Sequence, residues 1–272
     1  MQSVANHLKG TFMKKLPVFA VSALALTLFA NPAAAAEDGW VSLFNGKDLQ
    51  GWTPKFTGYA LGENYNDTFR AEDGVIKVSY DKWSDFKGEF GHLFYQTPYS
   101  NYVFRMEYRF TGEQVKNGPG WAFRNSGVMI HGQDPKTMTL KQDFPSSIEV
   151  QILGGNGKND RTTGNMCSPG THIELNGALM KNHCVNSTSK TFHGDQWVTL
   201  EIEARGGESI KHIINGETVM EYQKPQLDPG DKNAQPLIAA NGGDVLLKGG
   251  SISLQAESHP CEFRNIQIKP LK

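Results

Sequence analysis

Tyr102-Val103-Phe104-Arg105-Met106-Glu107-Tyr108-Arg109-Phe110 is the stretch on which the fold turns. Large apolar side chains occupy every second position, the period of a strand that buries one face. Tyr102, Phe104, Met106, Tyr108 and Phe110 are therefore expected in a core, with Val103, Arg105, Glu107 and Arg109 opposite. The same period recurs along the chain between turn signals. Phe69-Arg70-Ala71 meets Gly74 to Val78 across Glu72-Asp73-Gly74, a compact hairpin. Trp40 to Phe44 and Leu49 to Trp52 precede it. Gly91 to Tyr95, Gly127 to His131, Ser147 to Leu153, Trp197 to Ala204, Ile210 to Asn215, Val219 to Tyr222, Ile252 to Gln255 and Glu262 to Ile268 follow. No segment sustains a helical period, so helix is expected only in short connecting pieces. The 29 glycines, 13 prolines and 10% aromatics suit many strands joined by tight turns. So many antiparallel strands pack as two sheets, which limits exposed edges. The expected fold class is all-β, a two-sheet antiparallel jelly-roll sandwich.

The start of the chain reads as an export signal. Lys14-Lys15 forms a short basic region, Leu16 to Phe29 an apolar run, and Ala34-Ala35-Ala36 a small-residue cleavage site before Glu37. Met13 directly precedes the basic pair and is an alternative start. The apolar run is short for a membrane span, so no stable membrane insertion is expected once residues 1–36 are removed. No cysteine lies near the cleavage site, which argues against a lipid anchor. Residues 37–272 fit one large all-β domain, exported to the periplasm or secreted by a bacterium. A formal net charge of -1 offers no basic footprint for nucleic acid. Export permits disulfides, and the three cysteines are Cys167, Cys184 and Cys261. Cys167 and Cys184 flank a loop-like stretch and are favoured over pairings with Cys261; three buried thiols are the other alternative.

Chemistry is expected among the polar residues of the apolar-backed strands. In Ile148-Glu149-Val150-Gln151-Ile152, Glu149 and Gln151 share one face and the three β-branched residues the other. In Asn125-Ser126-Gly127-Val128-Met129-Ile130-His131, Asn125, Gly127, Met129 and His131 group together. If the two strands are neighbours, Glu149, Gln151, Asn125 and His131 line one groove. An ordinary solvated sheet face is the competing reading. Gly154-Gly155-Asn156-Gly157-Lys158 lacks the frame of a phosphate loop and reads as a connection.

Taken together, Leu43-Phe44-Asn45-Gly46-Lys47-Asp48-Leu49-Gln50-Gly51-Trp52, Arg124-Asn125-Ser126-Gly127-Val128, Ile148-Glu149-Val150-Gln151-Ile152, Thr163-Gly164, Asp195-Gln196-Trp197, Ile214-Asn215-Gly216, Ile252-Ser253-Leu254-Gln255 and Phe263-Arg264-Asn265-Ile266 resemble the 3-keto-disaccharide hydrolase family of the concanavalin A-like lectin and glucanase superfamily. The ordered match spans nearly the whole of residues 37–272. The resemblance implies a carbohydrate partner and cleavage of glycosides already oxidised to a ketone at C3. Such a ketone acidifies the C2 proton; its removal gives an enolate that expels the C1 substituent, and water then adds to the double bond. The reaction needs a base, an acid and a donor or cation for the enolate oxygen. On this reading Glu149 and His131 are the candidate base and acid, in either order. Arg124, Asn125, Gln151, Arg264 and His259 are candidates for binding or orienting the substrate, although Arg264 also suits holding the terminal strand. The chain departs from the family pattern after Thr163-Gly164, where an excursion carries His172, Glu174 and His183. These are candidate ligands for a divalent metal ion, with solvent-facing loop histidines as the alternative. Two other readings remain open. A non-catalytic carbohydrate-binding jelly-roll module would use an aromatic platform such as Trp83, Trp121 or Tyr95. A laminarinase-type glycoside hydrolase needs two carboxyl groups flanking the bond, and the strand of Glu149 carries no second acid, so the partner would have to come from elsewhere.

Overall fold

The computed structural model describes residues 39–272; the leader expected over residues 1–36, with its alternative start at Met13, lies outside them. The elements in chain order are β1 (Val41–Ser42), β2 (Trp52–Phe56), β3 (Phe69–Glu72), β4 (Val75–Val78), β5 (Gly91–Tyr95), β6 (Asn101–Phe110), β7 (Asn125–Gly132), β8 (Ile148–Leu153), β9 (Asn165–Cys167), β10 (Thr171–Leu175), β11 (Ala178–Met180), β12 (Cys184–Val185), β13 (Val198–Arg205), β14 (Ser209–Ile214), β15 (Glu217–Leu227), α1 (Ala234–Ala240), β16 (Ser251–Ala256) and β17 (Cys261–Pro270). A ten-stranded sheet runs β11-β10-β15-β14-β13-β6-β17-β4-β3, with β1 added along β17, and a seven-stranded sheet runs β12-β9-β8-β7-β16-β5-β2. The strands pair antiparallel throughout. The fold is thus the expected two-sheet antiparallel jelly roll. No helix among the described residues is long and apolar enough to cross a membrane.

Period two on β6 does what the sequence demands. Tyr102, Phe104, Met106, Tyr108 and Phe110 are each 2% exposed or less. They share one core cluster with Val128, Ile130, Ile148, Val150, Ile152, Ile252 and Leu254 from the other sheet. Full burial of one such side chain stabilises by about 1.5–3 kcal/mol. Thr163 ties the sheets together by polar contacts: its Oγ1 lies 2.7 Å from the Tyr108 hydroxyl and accepts from the Leu153 N–H at 2.9 Å.

Element ends differ from the sequence reading where side chains redirect the backbone. The Asn45 Oδ1 accepts from the N–H groups of Lys47 and Asp48 at 2.8 and 3.0 Å, an Asx turn. The strand expected over Leu49 to Trp52 therefore begins only at Trp52. The excursion after Gly164 is no loop but four short strands, β9 to β12. Asn176 and Gly177, at φ 53° and 77°, close the β10–β11 hairpin, the backbone of a type I′ turn.

Cys167 and Cys184 form a disulfide, and Cys261 is free and buried. The bridge joins β9 to β12 at directly paired positions. Labelling of the unfolded, unreduced protein is expected to find one thiol, at Cys261, and two more after reduction. Three thiols before reduction would contradict the bridge.

The outer face of the seven-stranded sheet carries the polar side chains. β7 and β16 are nevertheless buried at every position, because the connection over residues 133–147 lies across neighbouring strands. The Lys55 ammonium donates to the Phe56 and Leu140 carbonyls at 2.7 and 3.3 Å, and the Phe144 ring stands 5.7 Å from that of His92.

Candidate active site

Register assembles the site from residues far apart in sequence. Phe94, Ser253, Met129, Glu149 and Cys167 are successive cross-strand partners over β5, β16, β7, β8 and β9. Gly127, Gln151 and Asn165 form a parallel row one step along. Gly127 leaves a gap that Glu149 fills. A Cβ placed there would lie 2.7 Å from both Cγ and Oε1 of Glu149. Gly127→Ala is therefore expected to displace the carboxyl while sparing the strand. Its cost should be about 10²-fold in turnover, the scale of a 1 Å misplacement, with an unchanged circular dichroism spectrum. Unaltered turnover would show that the position of Glu149 is not critical.

Glu257 meets Glu149 from the end of β16. Both carboxyls are buried, and Glu149 Oε1 and Glu257 Oε2 have no hydrogen-bond partner. They face a cavity of about 370 Å³ that is also lined by Asn125, Gln151 and Phe144, and walled by the Cys167–Cys184 disulfide with Pro169 and His183. Trp121 stands at its rim, 55% exposed and stacked on Phe90 at 5.9 Å. Unpartnered polar atoms continue across the sheet: the Asn125 Oδ1, both the amide oxygen and nitrogen of Gln255, the Ser253 hydroxyl and both ring nitrogens of His92. Buried polar groups are normally paired, so this concentration on one face marks a place where polar ligand atoms are accommodated.

Burial raises the Glu149 carboxyl to about 8. Glu257 is pushed well above the usual carboxylate range, first by burial and then by the charge of Glu149, against the opposing pull of Arg161. Arg161 is itself depressed by burial and raised by Glu257. Its guanidinium donates to the Phe123 carbonyl, to Gly154 O at 3.1 Å and to Trp121 O at 3.2 Å. It thereby fixes the short turn that presents Trp121 and supplies positive charge to Glu257.

The structure brings together some of the expected site residues and separates others. Glu149, Asn125 and Gln151 share the cavity, with Gln151 Oε1 accepting from the Asn165 amide at 3.0 Å. His131 is not with them. At φ 51°, beside the register shift between Ser251 and Ser253, it leaves the face of Glu149 and hydrogen-bonds through Nε2 to Gly206 O at 2.8 Å. It lines a separate cavity of about 400 Å³. Arg124 donates to Gly194 O at 2.6 Å and approaches Asp195 at 3.4 Å, outside the cavity lining. His259 is wedged between Phe110 and Phe123, at 5.8 and 5.0 Å, and is driven to about 4 by burial and then by the charges of Arg124 and Arg161. Arg264 lies on the other sheet, paired with Glu107 and stacked on Trp197 at 4.0 Å, where it holds the terminal strand.

The expected metal ligands are likewise dispersed. Glu174 pairs with Lys224 at 2.8 Å, His172 approaches Asp228 at 3.3 Å, and His183 sits at the cavity edge. Among the described residues no group of three His, Cys, Asp or Glu side chains is placed to hold a metal ion. Of the possible aromatic platforms, Trp83 is buried in the core and Tyr95 packs on Trp52 at 5.1 Å, which leaves Trp121. The residues missed from sequence are Glu257 and Arg161. Glu257 continues the parity of Ser251, Ser253 and Gln255, and that extension past the strand end was the available signal.

Fold and cavity place the chain in the class of concanavalin A-like jelly rolls. It belongs to the 3-keto-alpha-glucoside-1,2-lyase-like domain family, whose model matches residues 39–269. The chain is similar to the 3-keto-disaccharide hydrolase of Bacteroides thetaiotaomicron, with 24% identity over a 288-residue alignment covering 98% of this chain and 88% of that protein. Two crystal structures of proteins assigned as glycosyl hydrolases from Parabacteroides distasonis share the fold. One is 19% identical with a TM-score of 0.51, covering 86% of this chain and 94% of that one. The other is 20% identical with a TM-score of 0.50, covering 85% and 99%.

Proposed function

We propose that the protein is an exported carbohydrate-active enzyme that cleaves 3-keto-glycosides by C2 proton abstraction, elimination and hydration. The observation that carries this reading is the pair of buried, unpartnered carboxyls in one cavity, whose environments set them to different tasks. Glu149, brought near neutrality, is the base that takes the C2 proton. Glu257, held higher, keeps its proton and delivers it to the departing C1 oxygen. Electrons from the C2–H bond form the C1–C2 double bond as the C1–O bond breaks. Water then adds its hydroxyl to C1 and a proton returns to C2, so the sum is hydrolysis. Asn125 and Gln151 line the cavity with amide N–H groups that can serve the enolate oxygen, and Arg161 adds positive charge beside Glu257. Family membership and the name of the Bacteroides relative support the substrate class. The leader pattern of residues 1–36 and the disulfide support an oxidising compartment, periplasmic or extracellular.

The same acid pair favours a second reading, direct glycoside hydrolysis without a ketone, since Glu257 supplies from β16 the second acid that the strand of Glu149 lacks. Reaction of oxidised and unoxidised disaccharides in D₂O separates the two. Elimination and hydration require the ketone and leave deuterium at C2 of the product. Cleavage of the unoxidised sugar, or a product without C2 deuterium, would replace the proposal by the glycosidase. Binding of sugar without any cleavage would reduce the protein to a carbohydrate-binding module.

A further inference from the structure

Between the acid pair and β2, the outer face of the seven-stranded sheet carries neutral polar side chains that the reaction above does not use. His92 and Gln255 are cross-strand partners on β5 and β16, and Ser253 follows on the same face of β16. All three are fully buried. Five of their polar atoms have no hydrogen-bond partner among the described residues: both ring nitrogens of His92, the amide oxygen and nitrogen of Gln255, and the Ser253 hydroxyl. We propose that these three side chains form a binding site for the hydroxyls at C4 and C6 of the oxidised ring, with Phe144 as its door. The inference rests on the functional reading above and adds to it the residues that hold the ring.

Register orients the ring. Glu257, Gln255 and Ser253 follow one another on one face of β16, and the Leu254–Val128 pair puts Gln255 beside Gly127, the gap that Glu149 fills. A ring with C1 at Glu257 and C2 at Glu149 therefore extends its C4 and C6 side toward Gln255, Ser253 and His92. The chemistry of the three groups agrees. Burial, and then the charge of Lys55, drives His92 to about 3, so its ring is neutral and offers one donor and one acceptor. The Gln255 amide and the Ser253 hydroxyl likewise both give and accept, as sugar hydroxyls do. Buried polar atoms left unpaired are costly, and a ligand that pairs them recovers that free energy.

Phe144 separates these groups from the acid cavity. Its half-buried ring lines the cavity and also meets the His92 ring edge-on at 5.7 Å. The backbone around it is held. Phe144 O accepts from the Gln142 amide at 2.8 Å, and Leu140 O accepts from the Lys55 ammonium at 3.3 Å and from the Gly58 N–H at 2.7 Å. The way in is thus a rotation of the Phe144 side chain rather than a movement of the whole segment.

The test compares a 3-keto-glucoside with its 4-deoxy and 6-deoxy forms, all bearing the same leaving group. Wild type is expected to favour the parent over each by about tenfold or more in kcat/KM, because a site built to pair a hydroxyl rejects the analogue that lacks it. Gln255→Met, which keeps the length of the side chain, is expected to cut kcat/KM for the parent about tenfold and to bring at least one of the two ratios near one. Its melting temperature should be no lower than that of wild type, since it removes a buried unpaired amide. A lower one would mean that the amide already has its partners in the free protein, and would overturn the binding site. Wild-type ratios near one, with the parent still cleaved, would overturn it too and leave the functional reading in place. A wild type that cleaves no 3-keto-glucoside would overturn both. The door has its own readout: carbethoxylation of His92 by diethyl pyrocarbonate, followed by mass analysis of peptides, is expected to be about tenfold faster in Phe144→Ala than in wild type, and equal rates would overturn the role of Phe144.

Discussion

Glu149→Gln is expected to lower turnover of a 3-keto-glycoside by about 10²–10⁴-fold, the usual contribution of a positioned proton-transfer group. Gln keeps the shape and part of the hydrogen bonding but cannot take the C2 proton, so KM should move far less than kcat. The pH profile gives a second signature. Wild-type kcat/KM should climb as pH rises toward about 8, where Glu149 ionises, and fall at higher pH as Glu257 loses its proton. The variant should lose the rising limb. Stability should move the opposite way to activity. The folded carboxyl of Glu149 is raised above its unfolded value, so its stabilising contribution is complete below the unfolded pKa of about 4.3 and fades as pH rises through the folded one. Glu149→Gln removes that loss. Its melting temperature should exceed that of wild type at pH 8, with the gap closing toward pH 4. A variant with full turnover and an unaltered profile would make Glu149 a binding or structural residue.

Glu257→Gln should be the companion result, and its size should depend on the leaving group. A sugar or alkyl alcohol departs poorly as an alkoxide and needs the proton of Glu257, so its release should slow by about 10²–10³-fold. A nitrophenolate departs unaided, and the variant should cleave its 3-keto-glycoside at a rate within a few fold of wild type. Equal losses on both substrates would remove Glu257 from proton delivery and leave it a tuner of its neighbour. The variant also relieves the like-charge contact between the two acids. That contact acts on Glu257, the second of the two to ionise, so the rise toward about 8, set by burial of Glu149, should stay and the fall at higher pH should disappear.

The core strands were legible because period two survives without interruption on β6, β8, β13 and β16. The same rule found Glu149, Gln151 and Asn125. It misplaced His131, while Arg124, His259 and Arg264 were candidates on the family resemblance; all four stand at or beside a left-handed backbone. Arg124 and His131 have φ of 44° and 51°, His259 follows Ser258 at 93°, and Arg264 precedes Asn265 at 54°. At His131 that backbone turns the ring off the face that strict alternation assigns. Alternation also says nothing about which sheet a strand joins, and for Arg264 that alone decides the outcome. β9 to β12 were hidden for a different reason: strands of two to five residues carry too few repeats to show a period. The Asn176-Gly177 turn was the legible mark among them.

The disulfide has a further consequence at the border of the seven-stranded sheet. β12 is that sheet's last strand on the side of the acid pair and is only two residues long. Such a strand is held by few ladder bonds, and its loss would bare β9 as a row of unpaired peptide groups ready to recruit another chain. The covalent link between Cys167 and Cys184 pins the short strand over that row. One bond therefore serves as both a wall of the cavity and a guard against chain-to-chain β-pairing, and a reducing agent at neutral pH should turn a monodisperse preparation into one that self-associates through its sheet.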